Sequence, residues 1–225
     1  MKKYRVGLVG CGGRQRRGHM PVFQGMPEVE VVACADFVEE LRNRFAKEFG
    51  IPRKYPSAEE MFAAEDLDIA TVVTAPKWRV VPVTQAAEAG VRGIICEKPF
   101  SIDLEEVDVM SEACRKSGSR LVINHQSRFF GPVARVKQAI ESGEIGEVEY
   151  YKAVSRGKIH GQGTHMIDLV RYLHGEKPFA WAMGSVSGTD TFDAKIPGPD
   201  EEAAVLAFED GTHVDVILNP LGVPG

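Results

Sequence analysis

The sequence predicts an α/β protein: a doubly wound parallel sheet in the first half, followed by a smaller α+β domain with an open, mixed or mainly antiparallel sheet. Short apolar runs alternate with longer amphipathic ones up to Asn124, which is typical of repeated strand-helix units. A glycine-rich loop follows the first apolar run directly. After Asn124 the pattern changes to two helices and three longer β-type runs. We therefore place the two domains at residues 1–123 and 124–225.

Five apolar runs are the candidate strands of the first domain. They are rich in Val and Ile on both faces, as strands are when helices cover a sheet on both sides. The runs are residues 4–9, 29–35, 69–74, 93–96 and 120–123.

The segments between these runs carry the start and stop signals of helices. Ser57 and Asp103 each precede a glutamate at the capping-box spacing, which marks a helix N-terminus. Gly50, Gly90 and Gly118 stand where a C-terminal cap needs a left-handed residue. Within residues 103–116 the apolar side chains recur every three or four positions, so this helix is expected to pack one face on the sheet.

The second domain is predicted to contain two helices and a sheet of a different kind. One helix covers residues 133–141, because Pro132 suits the first helical position, and the other covers residues 164–174. The β-type runs are residues 148–154, 180–187 and 203–218, the last one divided by a hairpin turn at Glu209-Asp210-Gly211. We expect the final strand to present an open edge that pairs with another chain.

The composition excludes several classes of protein. A chain of 225 residues with 44% hydrophobic residues and a net charge of -5 is typical of soluble globular proteins, not of disordered, collagen-like or coiled-coil ones. Its basic residues form no cluster beyond Arg14, Arg16 and Arg17, so nucleic acid is not an expected partner. No apolar stretch approaches the roughly 20 residues that span a bilayer, and no signal peptide is evident. We expect a cytoplasmic protein with no membrane partner.

The cysteines predict neither a metal site nor disulfides. Cys11, Cys34, Cys96 and Cys114 are far apart, with no C-x-x-C pair, and the histidines have no metal-ligand spacing. We expect reduced thiols that fill apolar space. For Cys11 and Cys96 a place near a ligand stays open, because both adjoin the motifs described next.

The glycine-rich loop has the position of a dinucleotide-binding loop. Gly10, Gly12 and Gly13 follow the first strand and precede a helix. Gly10 permits the tight turn, and Gly12 lets the backbone approach a pyrophosphate that faces the free N–H groups of the helix. Gln15 occupies the position of the third glycine in the usual G-x-G-x-x-G pattern, which weakens the motif.

An acidic residue at the end of the second strand favours NAD as the cofactor. Asp36 can accept hydrogen bonds from both hydroxyls of an adenosine ribose and repel a 2'-phosphate. NADP stays open because Arg14, Arg16 and Arg17 can hold a phosphate. The alternative role for Asp36 is the N-cap of a helix over residues 37–49.

Six motifs, in order along residues 4 to about 175, resemble those of the Gfo/Idh/MocA oxidoreductases. The motifs begin with the glycine-rich loop and end in the helix that follows Gly163. They are Gly10-Cys11-Gly12-Gly13, Thr74-Ala75-Pro76, Glu97-Lys98-Pro99, Asn124-His125-Gln126-Ser127-Arg128-Phe129, Gly143-Glu144-Ile145-Gly146-Glu147-Val148 and Gly163-Thr164-His165-Met166-Ile167-Asp168-Leu169.

The resemblance implies an N-terminal Rossmann domain and a C-terminal α/β domain whose open sheet commonly mediates oligomerisation. It also implies an NAD(P)-dependent dehydrogenase that oxidises or reduces a carbinol carbon of a sugar, a polyol or a related small molecule. We therefore expect a homo-oligomer with a small-molecule substrate. Family members continue well beyond this length, so the chain resembles their first two thirds and is either an oligomer or a truncated product.

The same resemblance assigns site residues. Lys98 and His165 match the active-site lysine and histidine, and Glu97 matches a neighbour of the nicotinamide ribose. Thr74 and Pro76 match the nicotinamide side of the cofactor site, to which the loop residues Gly10, Gly12, Gly13 and Arg14 and the ribose ligand Asp36 also belong. Asn124, His125 and Arg128 match the substrate side.

The chemistry needs such groups. Removal of a hydride from a secondary alcohol requires a base for the hydroxyl proton, and a histidine such as His165 has a suitable pKa. A lysine beside an oxidised nicotinamide has its pKa lowered by the like charge and stabilises a developing alkoxide, which fits Lys98. Asp168, three residues after His165, either orients the imidazole, contacts the substrate or pairs with Arg171.

One departure from the family pattern leaves a second function open. Many members have an aspartate four residues before the active-site histidine, where this chain has Gly161. Either Gln162, His160 or Asp168 replaces that aspartate, or catalysis is weakened, or the reaction differs. The alternative function is a non-catalytic dinucleotide-binding or regulatory protein. The substrate and the direction of the reaction are not encoded in any of these motifs.

Overall fold

The computed structural model describes residues 3–188 and 199–218. Contacts between Cα atoms divide the chain into two compact units, Met1–Asn124 and His125–Gly225.

The first unit is built on a six-stranded parallel sheet. Its strands are β1 (Tyr4–Val9), β2 (Val29–Ala35), β3 (Arg53–Tyr55), β4 (Ile69–Val72), β5 (Gly93–Cys96) and β6 (Arg120–Ile123). They lie in the order β3-β2-β1-β4-β5-β6, which is the doubly wound order of the Rossmann fold. The order reverses between β1 and β4, so the loops at the carboxyl ends of these strands flank the crevice in which such folds bind ligands.

Helices cover both faces of this sheet. They are α1 (Met20–Gln24), α2 (Glu39–Phe49), α3 (Ala58–Ala64), α4 (Val80–Glu88) and α5 (Leu104–Ser117). Val6 and Leu8 of β1 belong to one buried cluster with Phe45 of α2. Val9 belongs to another, together with Met110 of α5. The sheet is therefore buried on both sides, which explains why its strands are apolar without alternation.

The predicted helix boundaries are largely confirmed. The Ser57 hydroxyl accepts from the Glu60 amide at 3.1 Å, and the Asp103 carboxylate accepts from the Glu105 amide at 2.8 Å. Gly118 adopts the left-handed conformation that ends α5, with φ 76°. All four cysteines are free and buried.

The second unit combines two helices with a four-stranded mixed sheet. The helices are α6 (Gly131–Glu141) and α7 (Thr164–Leu173), and the strands are β7 (Tyr150–Ser155), β8 (Phe179–Ser187), β9 (Glu201–Phe208) and β10 (His213–Leu218). Val170 of α7 belongs to one buried cluster with Phe208 of β9 and with Val214, Val216 and Leu218 of β10. The predicted hairpin is confirmed, because β9 and β10 are antiparallel.

The predicted open edge at the last strand is wrong. The strand order is β7-β10-β9-β8, so β10 lies inside the sheet. It pairs with β9 on one side and, in parallel, with β7 on the other. The segment between β7 and β10, which contains α7, β8 and β9, is long enough to allow this parallel return, and periodicity alone does not reveal it. Within the described residues, no helix has both the length and the apolar character needed to cross a membrane.

Candidate active site

The first unit forms its glycine-rich turn between β1 and the helical segment that leads into α1. Gly10 has φ +91°, and a Cβ atom there would lie 2.4 Å from the Val73 carbonyl oxygen, so only glycine fits. At Gly12 the situation is the opposite, because a Cβ would meet no protein atom within 4 Å. The backbone at Gly12 is thus open to a close-approaching group, as a pyrophosphate requires.

The missing third glycine is explained by a buried side chain. Gln15 is fully buried, and its Nε2 donates to Oγ1 of Thr71 on β4 at 2.9 Å. It begins a π-helical segment, Gln15–His19, which continues into α1. Gln15 in place of the third glycine therefore has its side-chain amide paired with Thr71. The turn at Gly10 and Gly12 is retained.

Asp36 is fixed against this loop at the end of β2. Its Oδ2 accepts from the Cys11 amide at 2.8 Å, and its Oδ1 accepts from the Val38 amide at 2.9 Å. The alternative role as helix cap is not observed, because α2 begins at Glu39 with Val38 as its N-cap. Each carboxylate oxygen keeps a second acceptor site, so Asp36 can still accept a ribose hydroxyl.

A cavity of about 470 Å³ opens beside Asp36. Its walls include Gly10, Phe37, Thr74 and Trp78, the last of which is reached through the short 3₁₀ turn Pro76–Trp78. Two aromatic side chains, a carboxylate and a glycine turn are the groups that an adenosine half needs. The chemistry of these lining residues therefore suits a dinucleotide.

Glu97 organises a second cluster at the ends of β5 and β6. The side chain is buried, and its Oε1 accepts from Arg14 Nε at 2.8 Å, His19 Nε2 at 2.9 Å and Asn124 Nδ2 at 2.7 Å. Burial raises the pKa of Glu97, but the hydrogen bonds from His19, Asn124 and Arg14 outweigh it and bring the pKa to about 2. Glu97 is therefore a carboxylate at neutral pH.

Lys98 follows Glu97 directly and is half-buried. Burial is the main cause that lowers the pKa of Lys98; Glu97 raises it, whereas Arg14 and Arg79 lower it further. A lysine with a lowered pKa gives up or shares its proton more readily than a solvated one, which is what proton chemistry at an alcohol requires.

Arg79 is a site residue that the sequence analysis missed. It is buried, and its guanidinium donates to the carbonyl oxygens of Glu97 and of Thr74, the latter from Nη2 at 2.8 Å. Nη2 also lies 3.5 Å from the Lys98 carbonyl oxygen. Arg79 thus joins the loops after β4 and β5. The sequence feature that could have indicated Arg79 is its position as a charged residue directly before the apolar run Val80-Val81-Pro82-Val83.

The second unit buries His165 near the start of α7. Its ring meets the ring of His125 edge to face, with centroids 5.4 Å apart at an interplanar angle of 90°. A π-helical segment, Ile159–Gly163, precedes α7. A Cβ at Gly163 would lie 2.6 Å from Cδ1 of Leu218, so the glycine before the histidine lets this segment pack on β10.

Arg128 and Asp168 contact each other in the second unit. Arg128 Nε donates to Asp168 Oδ2 at 2.7 Å and Nη2 donates to Oδ1 at 2.5 Å, a bidentate pair. Asp168 Oδ1 also lies 3.6 Å from His125 Nδ1. The predicted segment of residues 124–128 is therefore divided, because Asn124 bonds Glu97 in the first unit while His125 and Arg128 face Asp168 in the second.

No group of three or more histidine, cysteine, aspartate or glutamate side chains in residues 3–188 and 199–218 is arranged to hold a metal ion.

The strand order, the glycine turn and the acid at the end of β2 define a Rossmann unit of the dinucleotide-binding class. Residues 4–125, more than half of the chain, match the family described as "Oxidoreductase family, NAD-binding Rossmann fold" (GFO_IDH_MocA). The chain belongs to this family, as the motifs in its sequence predict.

Relatives and solved structures are consistent with this membership. D-apiose dehydrogenase of Paraburkholderia graminis is 29% identical over 94% of this chain, and inositol 2-dehydrogenase of Rhizobium meliloti is 29% identical over 77% of it. The chain spans 59% and 56% of the length of these two relatives. The WlbA dehydrogenase of Bordetella pertussis, solved with NADH and UDP-GlcNAcA, is 25% identical with a TM-score of 0.85 and covers 99% of this chain, which spans 72% of that structure.

Proposed function

We propose that this chain carries the nicotinamide-binding and catalytic residues of an oxidoreductase that transfers a hydride between NAD and a carbinol or carbonyl carbon of a sugar, a polyol or a related small molecule. The observation that carries the proposal is the convergence, in one unit, of the Gly10 turn, the fixed Asp36 carboxylate and Lys98, which follow β1, β2 and β5 at the carboxyl end of one parallel sheet. The relatives named for D-apiose and inositol support the substrate class.

The first unit, close to the predicted residues 1–123, would hold the cofactor. Gly12 and Gly13 would face the pyrophosphate, Asp36 the adenosine ribose, and Thr74, Pro76 and Glu97 the nicotinamide half. Bound NAD would supply the hydride acceptor, and the chain would supply orientation and charge.

The arginine contacts favour NAD over NADP. Arg14 Nε donates to Glu97 Oε1 and Arg16 Nε to Glu48 Oε1, each at 2.8 Å. Both guanidinium groups are thereby committed to carboxylates, which leaves less positive charge for a 2'-phosphate. The Asp36 carboxylate repels that phosphate.

Lys98 and His165 would assist removal of the proton from the substrate hydroxyl. The His165 imidazole would accept this proton as a general base, and the Lys98 ammonium would stabilise negative charge that develops on the substrate oxygen. Asn124, His125, Arg128 and Asp168 remain the proposed substrate-side residues, with the last two already paired to each other.

A titration with NADH and, separately, NADPH tests cofactor binding. Trp78 lines the cavity beside Asp36, so its fluorescence should report occupancy. In the Trp181→Phe variant, Trp78 is the remaining tryptophan, and we expect saturable quenching with NADH at concentrations well below those needed with NADPH. Trp78→Phe is the control that should lose the signal. Absence of saturation with either nucleotide would refute the proposal.

The second unit offers a surface for a second copy of this chain. Trp181 and Met183 on β8 and Tyr150 and Val154 on β7 are large apolar or aromatic side chains that are exposed. The strand register sets them on the sheet face opposite the one that packs on α7. We propose a homo-oligomer through this face. Light scattering should give a multiple of 24.7 kDa for the native chain and a shift toward monomer for Met183→Lys. A native monomer at micromolar concentration would contradict the proposed oligomer.

A cytoplasmic location is also part of the proposal. Fractionation of the cells that produce the protein tests it.

A further inference from the structure

The acidic partner that the family pattern expects before His165 is replaced by glycine in this chain. Gly161 is buried in the π-helical segment before α7. A catalytic histidine needs a neighbour that fixes the plane and direction of its ring, because the base nitrogen must point at the proton it accepts. The question is which group of the second unit orients His165.

One side chain that meets the His165 ring is another histidine. The 5.4 Å separation and the 90° angle between the rings of His125 and His165 are those of an attractive edge-to-face pair. His165 is about 5% exposed, and the side chain of His125 is 18% exposed. Two rings packed in this way restrict each other's rotation.

A carboxylate that cannot move freely lies beside His125. Asp168 Oδ1 lies 3.6 Å from His125 Nδ1, within reach of an electrostatic contact. Both oxygens of Asp168 accept from Arg128, and the Arg128 guanidinium lies over the Tyr172 ring at 5.2 Å. Arg128 also donates to Glu176. The carboxylate is thus held by a guanidinium that has contacts on three sides.

We propose that His125 is a positioning residue for His165, and that Asp168, clamped by Arg128, orients His125 and so takes over the role of the acid absent at position 161. The inference rests on the proposed function for the part that concerns turnover. In this arrangement a histidine, His125, lies between the acid Asp168 and the base His165. Neither the glycine at position 161 nor the spacing of residues along α7 indicates this.

The charged and titratable groups around His125 and His165 determine which substitutions should affect turnover. Asp168 and His165 face His125 from α7, Arg128 faces Asp168, and Glu176 faces Arg128 on its other side. Two carboxylates therefore contact Arg128, and of these two it is Asp168 that lies within ion-pair distance of His125. This difference provides a matched pair of variants.

The test compares Asp168→Asn with Glu176→Gln. Each removes one negative charge from Arg128, yet only the first acts on His125. We expect Asp168→Asn to lower kcat by about 10- to 100-fold with little change in the KM for NAD, the range that small displacements of a catalytic group cause. Glu176→Gln should stay within about twofold. Equal losses in both variants would overturn the inference, because they would reflect the Arg128 pair alone.

A second variant and a second readout keep the test decisive. His125→Gln leaves the bond between Arg128 and Asp168 intact, so it should reproduce the loss in kcat with no more than the small drop in Tm that loss of one ring pair causes, even if Asp168→Asn folds poorly. In NMR spectra of the full chain, the His165 ring resonances should shift or broaden in His125→Gln and Asp168→Asn but not in Glu176→Gln.

The ring resonances need no turnover. An inactive wild-type protein would refute the proposed function and still leave the positioning role measurable. Unchanged His165 resonances in both His125→Gln and Asp168→Asn would refute the positioning role.

Discussion

Glu97 in the first unit and Asp168 in the second are both acids at the centre of a polar cluster, but they are held in different ways. Glu97 accepts three donors on one oxygen, from Arg14, His19 and Asn124, which are distant from one another in the sequence. Asp168 accepts from both Nε and Nη2 of Arg128, in a bidentate pair. The first cluster depends on the whole sheet that brings its donors together, whereas the second depends on one short segment, which contains His125 and Arg128, facing α7.

The largest expected effect is on the stability of the first cluster. Glu97→Gln would put an uncharged amide at the buried position to which Arg14 and His19 now donate, so we expect a loss of about 3 kcal/mol in the free energy of unfolding, the low end of the scale for breaking a buried ion pair, because Arg14 is half-exposed. Chemical denaturation measures it. Glu112→Gln, which removes an exposed carboxylate beside Arg115, should leave the midpoint unchanged. A loss as large in Asp168→Asn as in Glu97→Gln would break the comparison.

The same cluster should give stability a defined acid dependence. The pKa of Glu97 is lowered from its ordinary value of 4.5 to about 2, so its contribution is fully present above pH 4.5 and is lost as the pH falls through about 2. The difference in unfolding free energy between wild type and Glu97→Gln should therefore shrink in that window. A difference that stays constant from neutral pH to pH 2 would show that the charge of Glu97 is not what stabilises the cluster.

A smaller effect is expected at Arg79, which links the loops after β4 and β5. Arg79→Met would remove the donor from the buried carbonyl oxygens of Thr74 and Glu97, and we expect a loss of about 2 kcal/mol together with weaker NADH binding. Arg92→Met, on an exposed arginine paired with Asp68, is the control for loss of a cation. NADH affinity equal in both variants would remove Arg79 from the site.

The smallest effect separates stability from binding within the glycine turn. Gly10→Ala should destabilise the fold, because its Cβ would collide with the Val73 carbonyl. Gly12→Ala should leave Tm unchanged, since its Cβ meets no protein atom, and weaken NADH binding about tenfold, equivalent to roughly 1.4 kcal/mol. Undiminished NADH affinity in Gly12→Ala would place the pyrophosphate elsewhere.

Most of the fold could be predicted from the sequence because local signals agree with it. Apolar runs, two capping boxes and glycine at helix ends gave five of the six strands and the helices of the first unit. Strand β3 was missed because its three residues, Arg53-Lys54-Tyr55, pair with β2 alone at the sheet edge and lack an apolar pattern. The internal position of β10 was missed because strand order depends on long-range pairing.

The site was predictable at the motif level and not at the level of contacts. The sequence indicated Glu97, Lys98 and His165 as site residues. It did not reveal that Arg14 and His19 contact the Glu97 carboxylate, or that Arg79 donates to the Glu97 carbonyl oxygen. These contacts join positions 18 to 83 residues apart, and no spacing rule links such positions. His125 likewise becomes a partner of His165 only through the packing of α7.

The most direct test of the account is NADH formation from NAD with myo-inositol, scyllo-inositol and D-apiose as separate substrates. It compares the native chain with Lys98→Met and with Lys116→Met, a variant of an exposed lysine on α5 that pairs with Glu112. The account predicts turnover of at least one of these compounds by the native chain and by Lys116→Met, and a loss of about 100-fold or more in Lys98→Met, with NADH affinity nearly unchanged. Equal turnover in the two lysine variants, or tight NADH binding without oxidation of any of the three compounds, would contradict it and favour a dinucleotide-binding protein without catalysis.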